Sequence, residues 1–140
     1  MPVLSLQPIE TLCQESLLAV GASEEQAAIV AAEIAEAEAE GIRNVGLGYI
    51  HLYLKHLKVG KVKPNAQPAI VKTSAASTVV DADFGFCHHA YMVGEQRLIE
   101  TAREQGVAML AIHQSSSAGV LGWFVRRLAQ QGLVSLMFAN

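Results

Sequence analysis

Ser115, Ser116 and Ser117, followed by Gly119, are the residues of this sequence whose types and spacing come nearest to a binding site. They follow the apolar run Val107 to Ile112 and precede an amphipathic stretch, so they fall between the carboxyl end of a strand and the amino end of a helix. Ligands of α/β sheets bind at such places, and the free amides there attract an anion. Serines also cap helices with no ligand involved, and the sequence leaves both readings open. His113, just after the strand, could point at the same crevice. Asp81 and Asp83 flank Ala82 ahead of Gly85, where turn and helix-cap duties account for two carboxylates. His88 and His89 are adjacent, so on a helix they diverge and do not share a metal. Like His51 and His113, they read as packed or surface residues before they read as catalysts. Cys13 and Cys87 stand apart from each other and from metal-ligand spacing, which suggests neither a disulfide framework nor a zinc site. No catalytic triad, nucleophile elbow, P-loop or Gly-x-Gly-x-x-Gly fingerprint is present.

A second stretch stands out for its backbone. Glu40 to Ile50 carries Gly41, Gly46 and Gly48 between two helical patterns. Glycines so placed mark a chain that must bend or approach something closely.

The elements that must position these residues follow from periodicity. Val3 to Leu6 reads as a short strand. A first helix then accepts Pro8 in its opening turn, with Ser5 or Gln7 as cap, and runs to about Val20 before Gly21. Ser23 and Gln26 have capping-box spacing for a second helix to about Glu40. Its small apolar stripe is Ala27, Val30, Ile34, Ala37 and Gly41, with Glu33, Glu36 and Glu40 on another face that reads as solvated. After the elbow, Leu47, Ile50, Leu54 and Leu57 repeat at helical spacing, show His51, Lys55 and Lys58 outward, and stop at Val59 and Gly60. Pro64 and Pro68 bracket an irregular connector. Ala69 to Val71 and Thr78 to Val80 are β-rich, as a hairpin or in separate pairings. A helix over 86–105 closes at Gly106, and Val107 to Ile112 reads as a central parallel strand. A last helix buries Leu121, Phe124, Val125 and Leu128 and exposes Arg126, Arg127, Gln130 and Gln131. It ends at Gly132, after which Leu133 to Phe138 reads as another buried strand in an α/β crossover. The fold class is α/β: a helical N-terminal lobe over 1–65 and an α/β lobe over 66–140 with a small mixed or parallel sheet and crossover helices, packed as one compact unit. A buried-type strand as the last element leaves an edge that attracts pairing, so a homo-oligomer or a longer chain is expected.

Composition bounds the rest. An apolar fraction of 51% in 140 residues supports a buried core. A net charge of −3 gives no reason to expect nucleic acid or an anionic membrane as partner. No signal peptide or membrane span is read in the sequence, and cytoplasm is the expected compartment.

Several strings, in this order, resemble the malate/L-lactate dehydrogenase family of non-Rossmann type, which includes ureidoglycolate and sulfolactate dehydrogenases and the piperideine-2-carboxylate reductases. They are Ala37-Glu38-Ala39-Glu40-Gly41-Ile42 with Gly46, the run Tyr53 to Val62, Val80 to Phe86, Ala102 to Ala108, and Gln131 to Asn140. The resemblance covers essentially the whole chain and corresponds to the N-terminal part of such proteins, less than half of a typical member. It implies hydride exchange between NAD or NADP and 2-oxo acids or cyclic imino acids, with a small molecule as ligand and a homo-oligomer, or a chain supplying the remaining part, as partner. The family's elbow reads Gly-Ile-Asp-Ser-His-Gly-Val-x-Arg, where the resemblance gives the histidine proton exchange and the arginine a carboxylate contact. Here Val45 stands at the histidine position and Tyr49 at the arginine position. A valine exchanges no proton, and a neutral tyrosine offers one hydrogen bond. The family's Ser-x-His-x-Gly motif, near the nicotinamide, is matched by Ser115 to Gly119 with Ser117 in place of histidine. The loops that hold most of the dinucleotide, and the acid partner of the catalytic histidine, follow the region matched here. The expectation is a family scaffold with no intact catalytic residue, impaired as an oxidoreductase, or a non-catalytic binding or oligomerisation module.

Overall fold

A computed structural model describes residues 4–140. The chain divides between Asn65 and Ala66 into two compact units.

The first unit is helical. Helix α1, Leu6–Ala19, buries Ile9, Cys13 and Leu17, one residue per turn along a single side. Helix α2, Glu24–Ala39, meets it with Ala27, Val30, Ala31, Ile34, Ala35 and Ala37, whose short side chains let the two axes approach. Between them Gly21 takes a φ of +93°, which its missing Cβ permits. The strand expected from Val3 does not form within the described residues: Leu6 already opens α1, Ser5 holds the cap position without a side-chain bond, and Val3 lies outside them. The capping box is half realised. Ser23 Oγ accepts from Gln26 N at 3.3 Å, but the Gln26 amide turns inward and donates to Lys63 O at 3.1 Å and Pro64 O at 2.7 Å. Ser23 N donates to the same Pro64 carbonyl at 2.8 Å. A buried glutamine therefore ties the proline connector to the start of α2. The acidic face also departs from expectation. Glu36 and Glu40 are exposed, whereas Glu33 is 0% exposed, because its position falls between Val30 and Ala37 on the packed side.

Beyond the elbow, a 3₁₀ turn, Leu47–Tyr49, leads into helix α3, Ile50–Lys58. The tighter turn rotates the helix face relative to an unbroken α-helical wheel. Tyr53 and Leu57 become the buried residues, and Leu47, Ile50 and Leu54 are only half-buried.

The second unit holds a three-stranded sheet in the order β1-β2-β3. Strands β1, Ala69–Thr73, and β2, Ser77–Asp81, form an antiparallel hairpin, with an irregularity between Ile70 and Lys72. Helix α4, Cys87–Gln105, crosses over and returns the chain to β3, Met109–His113, parallel to β2. Gly106 closes α4 with a φ of +78°. Val80, Ala82 and Ala90 form one buried cluster of this unit, with Leu110 and Ile112 packed against them. Helix α5, Leu121–Gln130, follows. It buries Trp123, Phe124 and Leu128, while Leu121, expected inside, is exposed. Arg127, expected outside, is held by Glu95 of α4.

Two expectations about this sheet are corrected. β3 is an edge strand, not a central one, because only β2 pairs with it; its apolar composition is suited to a neighbour that the sheet does not have among the described residues. The buried strand from Leu133 to Phe138 joins no ladder, and Val134, Leu136 and Phe138 are 101%, 83% and 87% exposed. Alternating apolar residues become a strand only where backbone donors and acceptors are available to pair them.

Replacing Gln26 by Ala removes both bonds to the connector and leaves Lys63 O without that donor. The change is expected to lower unfolding stability by about 2 kcal/mol, read as a fall in the urea midpoint at unchanged slope.

Candidate functional site

The carboxyl ends of β2 and β3 are stitched together by backbone. Ala82 N donates to His113 O at 3.0 Å, Ser116 N to Gly85 O at 2.9 Å, and Cys87 N to Ser116 O at 3.1 Å. Phe86 and Ser116 form a parallel bridge beyond the strands. The loop 82–86 and the serine loop 114–119 thus make one rim. Within it Asp83 N donates to Asp81 Oδ1 at 2.8 Å, and Asp83 Oδ2 accepts from Gln67 N at 3.0 Å, so both carboxylates shape the turn. The serines do not cap the helix that follows. Val120 holds the cap position of α5, with no side-chain bond. Ser115 is exposed, and Ser116, Ser117 and Gly119 are half-buried. Cys87 lies just inside α4; burial pushes its thiol pKa up, and a hydrogen bond with Ser115 opposes that rise.

Backbone strain gathers in the same rim. Among the described residues, the non-glycine positions with positive φ are Asp83 at 51°, Phe84 at 58°, Gln114 at 52° and Ser117 at 48°. Each sits in one of the two stitched loops, and strained backbone of this kind persists only where surrounding bonds hold it.

The histidines divide. His113 is exposed at the rim, and His51 is exposed on α3. His88 is fully buried: its ring stacks on Phe124 at 5.3 Å and meets Trp123 edge-on at 5.7 Å. Burial in that aromatic cluster pushes its pKa down to about 4, so it is neutral packing material at physiological pH. Tyr91 completes the cluster. Burial, then the Glu95 charge, pushes its hydroxyl well above the usual range. Arg127 donates to both Glu95 oxygens, at 2.7 and 2.8 Å, while its guanidinium lies 4.9 Å over Trp123. These contacts dock α5 on α4.

The elbow belongs to the first unit. Gly41 takes a φ of +73°, and Val45 N donates to Ile42 O at 3.2 Å. Glu38 then reaches across the bend, its Oε1 accepting from Leu47 N at 2.7 Å. That carboxylate serves a free amide at the start of the 3₁₀ turn, much as a cap serves a helix. Gly46 lies against it, and a Cβ added there would come within 2.9 Å of Glu38 Cδ. Val45 and Tyr49 are half-buried, and Tyr49 packs edge-on against Tyr53 at 5.1 Å. Glu38 also adds to the burial that raises the Cys13 pKa to about 11. Its role escaped periodicity, because a helical glutamate carries no mark of a distant backbone partner.

Among the described residues, no cluster of three or more His, Cys, Asp or Glu could hold a metal ion, and no helix is long and apolar enough to cross a membrane.

With this geometry in place, comparison with known proteins assigns the family. The family model for malate/L-lactate dehydrogenase matches residues 4–140, and the chain belongs to that family. It is 38% identical to a (2R)-3-sulfolactate dehydrogenase (NADP(+)) of Chromohalobacter salexigens, over 99% of this chain and 41% of that protein. It is 34% identical to a Delta(1)-pyrroline-2-carboxylate reductase of Ancylobacter novellus, over 96% of this chain and 40% of the relative. Among solved structures, the sulfolactate dehydrogenase from Methanocaldococcus jannaschii superposes with a TM-score of 0.86 at 27% identity, covering 93% of this chain and 38% of that one. The chain thus spans about two fifths of the length of the relatives it matches. The relatives are oxidoreductases by name, and the mixed α/β architecture with a small sheet is shared with the family.

Two outcomes test these local arguments. Gly46→Ala forces Glu38 away from the Leu47 amide and is expected to cost about 1–3 kcal/mol, read as a lowered melting temperature. For His88 the sign follows from its depressed pKa. Above the ordinary value of 6.5 neither the folded nor the unfolded chain holds the proton, and this site costs nothing. As pH falls from 6.5 toward about 4 the unfolded chain takes up a proton that the folded one refuses, so stability is lost across that window, by roughly 3 kcal/mol at its lower end. Urea unfolding at pH 7 and pH 4.5 should show that loss in the wild type and a smaller one in His88→Phe.

Proposed function

We propose that this chain keeps the scaffold and part of the ligand frame of an NAD(P)-dependent oxidoreductase for 2-oxo acids or cyclic imino acids, and has lost the proton-transfer chemistry. The observation that carries this reading is the pair of substitutions at the two family motifs, Val45 in the elbow and Ser117 in the serine loop. A dehydrogenase must move a proton as well as a hydride, and neither side chain exchanges one near neutral pH. Tyr49, edge-on to Tyr53, offers a substrate carboxylate at most one neutral hydrogen bond in place of an arginine fork. The frame offers an anion hydroxyls more than amides, since the Ser116 amide already donates to Gly85 O. Ser115, Ser116, Ser117 and Gly119 would hold a phosphate or carboxylate of NAD(P) at the carboxyl ends of β2 and β3. When bound, that cofactor supplies the hydride. The residues of this chain position and partly desolvate the anion.

The exposed run from Leu133 to Phe138 supports a second element of the proposal: the protein works in association, either as a homo-oligomer or with a chain that supplies what the family carries after this region. Cytoplasm is the compartment we assign. The same observation favours the other reading, a non-catalytic binding or oligomerisation module that retains the scaffold.

Incubation of the purified protein with NADH or NADPH and a panel of 2-oxo acids and cyclic imines should give no change at 340 nm above buffer. Steady turnover of any substrate would overturn the loss of chemistry. Calorimetric titration with NADPH separates the two readings: heat of binding supports the retained frame, and its absence supports the module.

A further inference from the structure

The two edges of the sheet are built differently. The outer edge of β1 carries Lys72 and an irregularity between Ile70 and Lys72, and Pro68 stands just ahead of it. Charge, broken register and proline are the devices that keep an edge from pairing with another chain. β3 has none of them. From Val107 to His113 the chain has no Asp, Glu, Lys, Arg or Pro, and β3 runs along β2 in unbroken register. Met109 N donates to Ala76 O at 2.8 Å and His113 O accepts from Ala82 N at 3.0 Å, so the odd-numbered residues of β3 turn their backbone toward β2. The N–H and C=O groups of Leu110 and Ile112 therefore point the other way, along an edge that receives no strand among the described residues.

The same chain holds a segment suited to that edge. Residues 133–138 are six in number, without charge, proline or glycine. Half-buried and exposed positions alternate along them, with Val134, Leu136 and Phe138 on the exposed side, which is the period of an extended strand. The segment leaves α5 through the left-handed Gly132, with Leu133 N donating to Leu128 O at 3.1 Å, and joins no ladder with its own β3. A second copy can receive it with that cap unchanged.

We propose that segment 133–138 of one copy adds as a strand to the free edge of β3 in a second copy, and that the exchange is reciprocal. The inference rests on the association reading above and names its partner and its surface. Each copy carries one free edge and one free segment, so two copies satisfy both and close on a two-fold axis. Strand addition of this kind draws its affinity from main-chain hydrogen bonds, which Leu110 and Ile112 offer. Covering Val134, Leu136, Phe138 and the exposed Met109 in both copies removes on the order of 500–1,000 Å² of apolar surface, before the two backbone ladders are counted. That approaches the roughly 1,000 Å² a specific dimer needs.

Light scattering and amide hydrogen exchange on the purified chain, across a concentration series, test this. A dimer should form, and the amides of Leu110, Ile112 and residues 133–138 should gain protection as it does. Ser135→Pro and Leu136→Pro each remove one amide of the segment, on opposite sides of the strand, so one of the two strikes the ladder. That variant should dimerise at least tenfold more weakly than wild type. Both should melt as wild type does in dilute, monomeric solution. Protection of 133–138 that does not change on dilution, or a lower melting temperature of both dilute variants, overturns the inference in favour of pairing within one copy. Growth into open assemblies beyond a dimer overturns the reciprocal exchange. A dimer that neither proline weakens overturns the inference and leaves the association reading standing. A chain that stays monomeric throughout overturns the inference and the homo-oligomer reading with it.

Discussion

The close approach of α4 to the parallel strands is the constraint on which the second unit depends. Gly94 lies where a Cβ would stand 2.6 Å from Leu110 Cδ1 and 3.1 Å from Val80 Cγ2, so only a hydrogen fits. That contact seats the helix over β2 and β3 and buries Val80, Ala82 and Ala90 together. Once α4 is seated, its start at Cys87 meets the serine loop through backbone, and its outer face receives the rings of α5. The rim at the carboxyl ends is a consequence of this packing, since both loops begin where strands held by α4 stop.

The elbow shows a different economy. Its shape rests on one buried-side carboxylate, Glu38, and on the absence of a side chain at Gly46. Neither feature requires a histidine at position 45 or an arginine at position 49. Shape and proton chemistry are separable in such a loop, because backbone hydrogen bonds set the first and side-chain identity sets the second.

Much of the helical boundary structure in both units was legible in advance for a local reason. Gly106 and Gly132 close helices because left-handed caps favour glycine, and Ser23 opens one because its hydroxyl accepts a free amide. The serine loop was legible from its place between an apolar strand and an amphipathic helix. What periodicity could not show was partnership. Gln26 looked like the second half of a capping box until Lys63 and Pro64 competed for its amide. Glu33 looked solvated because charge outweighs position in a pattern, yet packing placed it at 0% exposure.

The amino-acid sequence by itself determined most of the helices and their ends, two β-rich segments, the apolar character of β3, and which side chains stand at positions 45, 49 and 117. These depend on neighbours a few residues away or on side-chain chemistry alone. Only the tertiary structure decided that β3 is an edge, that Leu133 to Phe138 finds no ladder, that His88 is sealed between Trp123 and Phe124, and that Asp83, Phe84, Gln114 and Ser117 share one strained rim. Each of those outcomes needs a partner distant in the chain, and a pattern of residue types records what a segment can bury or bond without recording which partner is there to receive it.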